Sequence, residues 1–523
     1  MSSTTADPSI EPNAKRLLWA GFTAILATGV GFSVRGGVLG QWADQFGFTM
    51  TELGTITGGG LTGFGLVIIL SSLIADKIGY GKLMSLAFLL HFVSAVLTLA
   101  TPAFFASGGK DSAYWCLFSA MFIFAVGNGI CEAVVNPLTA TLFPKQQTHY
   151  LNILHAGWPA GLVLGSVASA LMSKHTDAAG NVTAAAVDWK IQMSLFLLPV
   201  VAYGLMMMGQ RFPKSHASVA GVPLGQMIGT LLTPLMLVLL LIHALVGYVE
   251  LGTDSWISKI TGAIMDSPQK GLMLFSYTSL LMFVLRFCAG PIVHRISPIG
   301  LLLISAALGC LGLNLLGGAT TVAMCVIAAT VYALGKTFLW PTMLSVASER
   351  FPKSGAIGIG LMGGVGMLSA GLLGGPAIGF KQDYNASHHL EQQAPATYGR
   401  YKADKENTFA GLKTVGLDGA KVGVLEDDGK ELARTGELLA KAGTPDKNHD
   451  QLDAWWQAAK ADAAADKPLV KDAGLYGGRM ALKLTSVVPA TMGLLYLGLL
   501  IYFKSIGGYR RLHVNDEEPA TGF

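Results

Sequence analysis

Twelve stretches of about twenty mostly apolar residues run along this chain, and they restrict it to a fold that satisfies its backbone polar groups inside lipid. They fall at roughly 17–39, 53–75, 82–105, 113–142, 150–173 and 191–210, then at roughly 227–257, 271–294, 298–318, 320–348, 355–380 and 479–503. A bilayer core is about 30 Å thick, so each stretch reads as one spanning helix. Charged residues make up only 13% of the 523, too few to cover a water-soluble surface of this size. Of the 68 Asp, Glu, Lys and Arg residues, 29 lie between Lys381 and Asp472. The chain therefore divides into a tail at 1–14, a six-helix unit at 15–210, a linker at 211–226, helices seven to eleven at 227–380, a polar insert at 381–476, a last helix at 477–504 and a tail at 505–523.

Orientation follows from where Lys and Arg sit in the short loops. One side carries thirteen, among them Lys15, Arg16, Lys77, Lys145, Arg350 and Lys353, and the other carries five: Lys110, Lys174, Lys190, Lys259 and Lys270. This predicts a multi-pass protein of the cell inner membrane with both termini in the cytoplasm and the insert outside. A missed or extra helix would scramble the alternation. The insert holds an amphipathic helix near Leu452 to Ala465 and reads as a solvated extramembrane segment.

The two halves resemble each other. Gly127 lies sixteen residues before Phe143-Pro144-Lys145, and Gly335 lies sixteen before Phe351-Pro352-Lys353. Ser72 to Gly79 matches in type Gly290 to Ser297. Duplicated halves suit a transporter whose solute sits between them at the membrane midplane.

These segments also carry a family resemblance. Asp76-Lys77-Ile78-Gly79 resembles the loop signature of the major facilitator superfamily. That resemblance implies an all-α membrane protein, with twelve transmembrane helices in two pseudo-symmetric six-helix bundles. It also implies a gate built on Asp76, Lys77 and Gly79, with Arg286, Gly290, His294 and Arg295 in the second half. Ser72 stands where the family has Gly, and His294 where it has Asp. A narrower match is Gly127-Asn128-Gly129 to Glu132 and Asn136-Pro137, which is similar to the helix-four signature of the fucose–proton symporter group and its glucose/galactose relatives. The helix-seven run from Tyr248 and Glu250 to Trp256 is a looser match to the same group. The resemblance implies Glu132 as the proton-coupling carboxylate and a sugar as cargo. The group's helix-one carboxylate has no counterpart here, and Arg35 occupies helix one instead.

An ionisable group in a membrane core costs at least about 2.5–3.5 kcal/mol on insertion scales, so each one is a functional candidate. Arg35, Glu132, Glu250, Asp254 and Lys336 qualify, with His91, His155 and His243 beside them. Glu132 and Asn136 are four apart and share a helix face. A carboxyl there can carry a proton, accept from a solute hydroxyl, or form a structural pair with Arg35. Arg35 itself suits a carboxylate or phosphate. Tyr248, Trp158, Trp256 and Trp340 offer aromatic faces to a solute, although Trp256 also suits the interfacial belt. Lys336 is placed to pair with Glu250 or Asp254, or to bind an anion. Two like charges at Glu250 and Asp254 predict a water-filled cavity.

No catalytic constellation, phosphate-binding Gly-rich loop or metal-ligand spacing stands out. The sequence therefore predicts no enzyme, cofactor, metal or nucleic-acid partner, and a monomer moving a small polar solute with proton coupling. Two alternatives stay open: an organic-anion or sugar-phosphate exchanger, favoured by Arg35 and Lys336, and a membrane sensor or receptor without transport. Cys116, Cys131, Cys288, Cys310 and Cys325 lie in apolar runs and read as core thiols.

Overall fold

The computed structural model describes residues 12–48, 50–58, 60–173, 175–176, 182–442 and 446–516. Parts of the expected tails, 1–11 and 517–523, and Lys174 of the orientation count lie outside them. Among the described residues, ten helical runs are long and apolar enough to cross a membrane. One of them, Tyr80–Leu142, is two helices joined at Gly109, whose φ of 68° is a conformation that only glycine adopts freely. A further helix, Pro268–Arg286, completes the set of twelve.

Numbered in order, helix 1 is Ala14–Phe46 and helix 2 is Gly60–Ile78. Helices 3 and 4 share Tyr80–Leu142. Helix 5 is broken into Gln147–His155 and Gly157–Met172, and helix 6 into Trp189–Ser194 and Leu197–Met207. Helix 7 comprises Pro234–Gly247, a π turn at Tyr248–Gly252, and Thr253–Ile264. Helix 8 is Pro268–Arg286 together with the start of Ala289–Gly318, and helix 9 is the remainder after Ser297. Helix 10 is broken into Val322–Lys336 and Leu339–Arg350. Helix 11 runs Gly355–Ser369, a second π turn Ala370–Gly374, and Gly375–Gln393. Helix 12 is Ala463–Thr485 and Val487–Ser505.

Small residues let these helices approach closely, as lipid requires. A Cβ on Gly247 of helix 7 would collide with the Gly366 carbonyl of helix 11. The repeat also has a structural counterpart. Gly127 of helix 4 packs against His91 of helix 3, and Gly335 of helix 10 packs against Gly309 of helix 9.

Helices 11 and 12 differ from their expected lengths. Both continue past their apolar runs as an antiparallel pair, with Gly477 tight against Gln382 and Ala386. The segment after residue 380 holds several good helix formers and buries Ala386 and Leu390 against helix 12 and the insert, so the helix continues. The rest of the insert is a small helical unit with one two-stranded hairpin, Asn407–Phe409 with Leu412–Thr414. It has its own core around Leu390, Tyr401, Leu425 and Val470. Arg400 grips the buried Asp466 with Nε at 2.8 Å and Nη2 at 2.6 Å. The expected helix near Leu452 ends at Ala459. Cys288 is exposed, not a core thiol, and Cys310 is half-buried.

Candidate functional site

Three prolines shape the centre of the molecule. Pro137, Pro159 and Pro341 lie inside helices 4, 5 and 10. Proline has no N–H, so the carbonyl four residues earlier loses its helical donor. For Pro159 that carbonyl belongs to His155, and for Pro341 it belongs to Thr337. Arg286 of helix 8 fills both vacancies. Its Nη1 donates to the His155 carbonyl at 2.5 Å and its Nε to the Thr337 carbonyl at 3.0 Å. Its Nη2 pairs with Glu250 at 3.0 Å, and the two side chains are 1% and 5% exposed. One guanidinium thus ties helices 7, 8 and 10 of the second half to helix 5 of the first. Arg286, which the resemblance implies for the gate, is buried and reaches from the second half to the first.

Glu250 lies on the π turn of helix 7, a local widening of a kind frequent at functional sites. Asp254, one turn on, receives Lys336 Nζ at 2.5 Å and 2.7 Å. Each of the two acids thus has its own cation, which offsets the repulsion between them. Tyr248 Oη accepts from Lys381 Nζ at 3.0 Å, and Trp256 Nε1 donates to the Gly375 carbonyl at 2.9 Å. Trp340 is buried against His243, with ring centroids 4.6 Å apart.

In the first half, Glu132 is half-buried and its Oε2 accepts from Asn136 Nδ2 at 2.6 Å. Asn136 Oδ1 lies 2.7 Å from His155 Nε2. Glu132, Asn136 and His155 form a chain that ends on the residue whose carbonyl Arg286 holds. Arg35 makes no pair with Glu132. It is 4% exposed, its guanidinium lies 3.6 Å from the Phe124 ring centroid, and its Nη2 donates to Ser94 at 3.2 Å. It borders a cavity of about 380 Å³ with Phe32, Leu39, Ile56 and Phe124. Trp158 packs edge-on against Phe32 at 5.3 Å.

The helix ends near both described termini form one face, called here the terminal face. On it the halves are closed. Thr148 and Ser345 hydroxyls meet at 2.6 Å, and Asn152 Nδ2 donates to Thr342 at 3.3 Å. The Gly290 N–H donates to His149 Nδ1 at 3.3 Å. Asp76 sits where helix 11 begins, its Oδ2 2.9 Å from the Cβ that Gly355 lacks, with Gly355 at φ 57°. A carboxylate there meets the positive end of the helix dipole. Gly79, at φ 94°, precedes the start of helix 3. Lys77, His294 and Arg295 are exposed.

Sequence reasoning passed over Glu349, which is buried at this closure. It accepts from Thr148 at 3.4 Å, Ser345 at 3.2 Å, Tyr509 at 2.8 Å and Arg511 at 3.3 Å. An acid at the terminal-face end of helix 10 was the available signal. A second polar cluster, where His91 lies 2.9 Å from both Asn128 and Tyr203, was signalled only by His91. Among the described residues, no cluster of His, Cys, Asp and Glu has metal-site geometry.

Comparison with known proteins agrees with this architecture. The Escherichia coli fucose:proton symporter FucP shares 17% identity and a TM-score of 0.55, over 70% of this chain and 92% of that one. A bacterial homologue of the human lysosomal transporter Spinster, in an inward-facing form, gives 13% and 0.58, over 93% and 96%. The human organic anion transporter MFSD10 gives 12% and 0.55, over 93% and 100%. No curated protein sequence matches. At these identities the likeness is one of fold, whereas residues 21–375 match the Major Facilitator Superfamily as a sequence family. With that match over most of its length, the chain is a member of the major facilitator superfamily of membrane transporters.

Proposed function

We propose that the protein is a proton-coupled secondary transporter of a small polar solute, working by alternating access, with its terminal face in the cytoplasm and its helices in the cell inner membrane. One observation carries this reading: the chain Glu132–Asn136–His155 ends on the residue that Arg286 holds from the other half. An ionised Glu132 accepts from Asn136. A proton on Glu132 removes the charge that strengthens this bond, and on Oε2 it puts a donor where an acceptor stood, so the Asn136 amide and its bond to His155 are disturbed. Proton occupancy is thereby felt on helix 5, beside the contact that closes the halves. Glu250, Asp254 and Lys336, each in an ion pair, hold helices 7, 8 and 10 in register for that closure. Asp76 and Gly290 form parts of the gate below it.

For the cargo, the likeness to a fucose:proton symporter favours a sugar. A specific observation favours the second reading, an organic anion: Arg35 is a buried cation beside the cavity with no acid paired to it among the described residues. The likeness to a human organic anion transporter points the same way. A sensor or receptor without transport remains a distinct class, and binding without translocation would select it. The test is uptake by proteoliposomes under an imposed pH gradient, with a panel of labelled sugars and organic acids. Wild type should accumulate its solute above equilibrium, and Glu132→Gln should reach only the equilibrium level. Equal accumulation by both proteins would overturn the coupling role.

A further inference from the structure

Arg35 carries five N–H donors on a group that stays charged in proteins. Its Nη2 meets Ser94, but Nε and Nη1 are buried and have no acceptor among the described residues. A buried cation without a counter-ion is costly, and a protein keeps one where something else supplies the charge. The guanidinium carbon lies over the Phe124 ring, 3.6 Å from its centroid, which helps to fix its position before any ligand arrives.

The cavity that Arg35 borders holds about 380 Å³, within the range of small-molecule sites. Apart from Thr57 its wall is otherwise apolar, with Phe32, Leu39, Ile56, Phe122 and Phe124 the main surfaces. Phe122 is 60% exposed, so an aromatic face is available to an occupant. A neutral sugar would set its hydroxyls against carbon and leave Arg35 unanswered. A dianion would bring a second charge with no cation to meet it. A single negative charge on a compact apolar body matches both the head and the wall.

We propose that this cavity is a binding site for an organic monoanion, an aryl or branched-alkyl carboxylate or sulfonate, whose charged oxygens take the Arg35 donors while its body lies among Phe32, Leu39 and Phe122. This rests on the transport reading above, because it names the solute class that the carrier takes. Trp158 on helix 5 touches Phe32, so an occupant also reaches the helix that holds His155.

The test is binding to the full-length protein in detergent, in chloride-free buffer, read by thermal shift and calorimetry. Benzoate should stabilise the protein saturably, whereas benzamide, its neutral isostere, and chloride should not. Arg35→Gln should weaken benzoate binding by about ten- to a hundredfold, as expected for losing a hydrogen-bonded charge. Equal binding of benzamide, equal binding of chloride, or benzoate binding that ignores Arg35→Gln would overturn the site. Should Arg35→Gln fail to fold, Leu39→Trp keeps the charge and fills the cavity; unchanged benzoate affinity in that variant would also overturn it. Translocation is measured separately with labelled benzenesulfonate, which has no neutral form able to cross bilayers unaided. Benzoate binding through Arg35 with no uptake of benzenesulfonate or of any solute in the panel above would sink the transport reading and leave the site standing. Uptake of benzenesulfonate that ignores Arg35→Gln would sink the site and leave transport standing.

Discussion

Arg286 Nη1 donates to the carbonyl oxygen of His155 at 2.5 Å, and this bond runs from the second half of the molecule to the first. The acceptor is free because Pro159 has no N–H to offer it. The same guanidinium holds Thr337, whose carbonyl is freed by Pro341, and pairs with Glu250. Two helix breaks and one acid thus converge on one side chain, and each can be altered separately.

Removing one partner of a buried ion pair strands the other, at a cost of about 3–5 kcal/mol. Arg286→Gln should therefore lower thermal stability in detergent more than Arg286→Gln/Glu250→Gln does, because the double variant strands no charge. Both should lose transport. A double variant no more stable than Arg286→Gln would show that the pair is not the structural element described.

Pro341→Ala returns an N–H to helix 10 and gives the Thr337 carbonyl a helical partner. Arg286 then competes for that oxygen. Uptake should fall while expression and melting temperature hold or rise, since the new N–H can close a helical bond across the break. Uptake equal to wild type would mean that the freed carbonyl is not needed.

The chain after helix 12 acts as a strap over Glu349, the buried acid at the closure. Tyr509 and Arg511 side chains and the Leu512 N–H all bind Glu349, and Arg350 Nη1 donates to the Arg510 carbonyl at 2.7 Å. Truncation after Gly508 should loosen the terminal face. A cysteine at the buried position Thr148 should then react faster with a maleimide, in a background cleared of the exposed Cys288. An unchanged rate would remove the strap from the account.

The insert carries its own core and its own buried pair, Arg400 with Asp466. Replacing 394–462 with a short Gly/Ser linker should leave uptake unchanged. A substantial loss would assign the insert a part in transport.

Much of this fold is written in the sequence as hydropathy. Helices such as 298–318 are apolar all round and long enough to span, so their existence needs no partner to explain it. Glu132 and Asn136 were legible as a pair because four residues make one helical turn. Arg286 was not, because its importance depends on carbonyls freed by Pro159 and Pro341, which are distant in sequence and meet only in three dimensions. The π turn at Glu250 was hidden for a related reason. It lies where Gly252 packs tightly against Gly374 of helix 11, and no local preference records that contact. The extension of helices 11 and 12 was missed because hydropathy marks where lipid ends, not where a helix does.

Spin-label distances test the alternation of the halves most directly. In a cysteine-free background, labels at Gln146 and Arg295 report across the terminal face, and labels at Asp111 and Gln269 report across the opposite face. Wild type should give one short distance on the terminal face. Arg286→Gln should add a longer population there and a matching shorter one opposite. Identical distributions in both proteins, on both faces, would contradict the account.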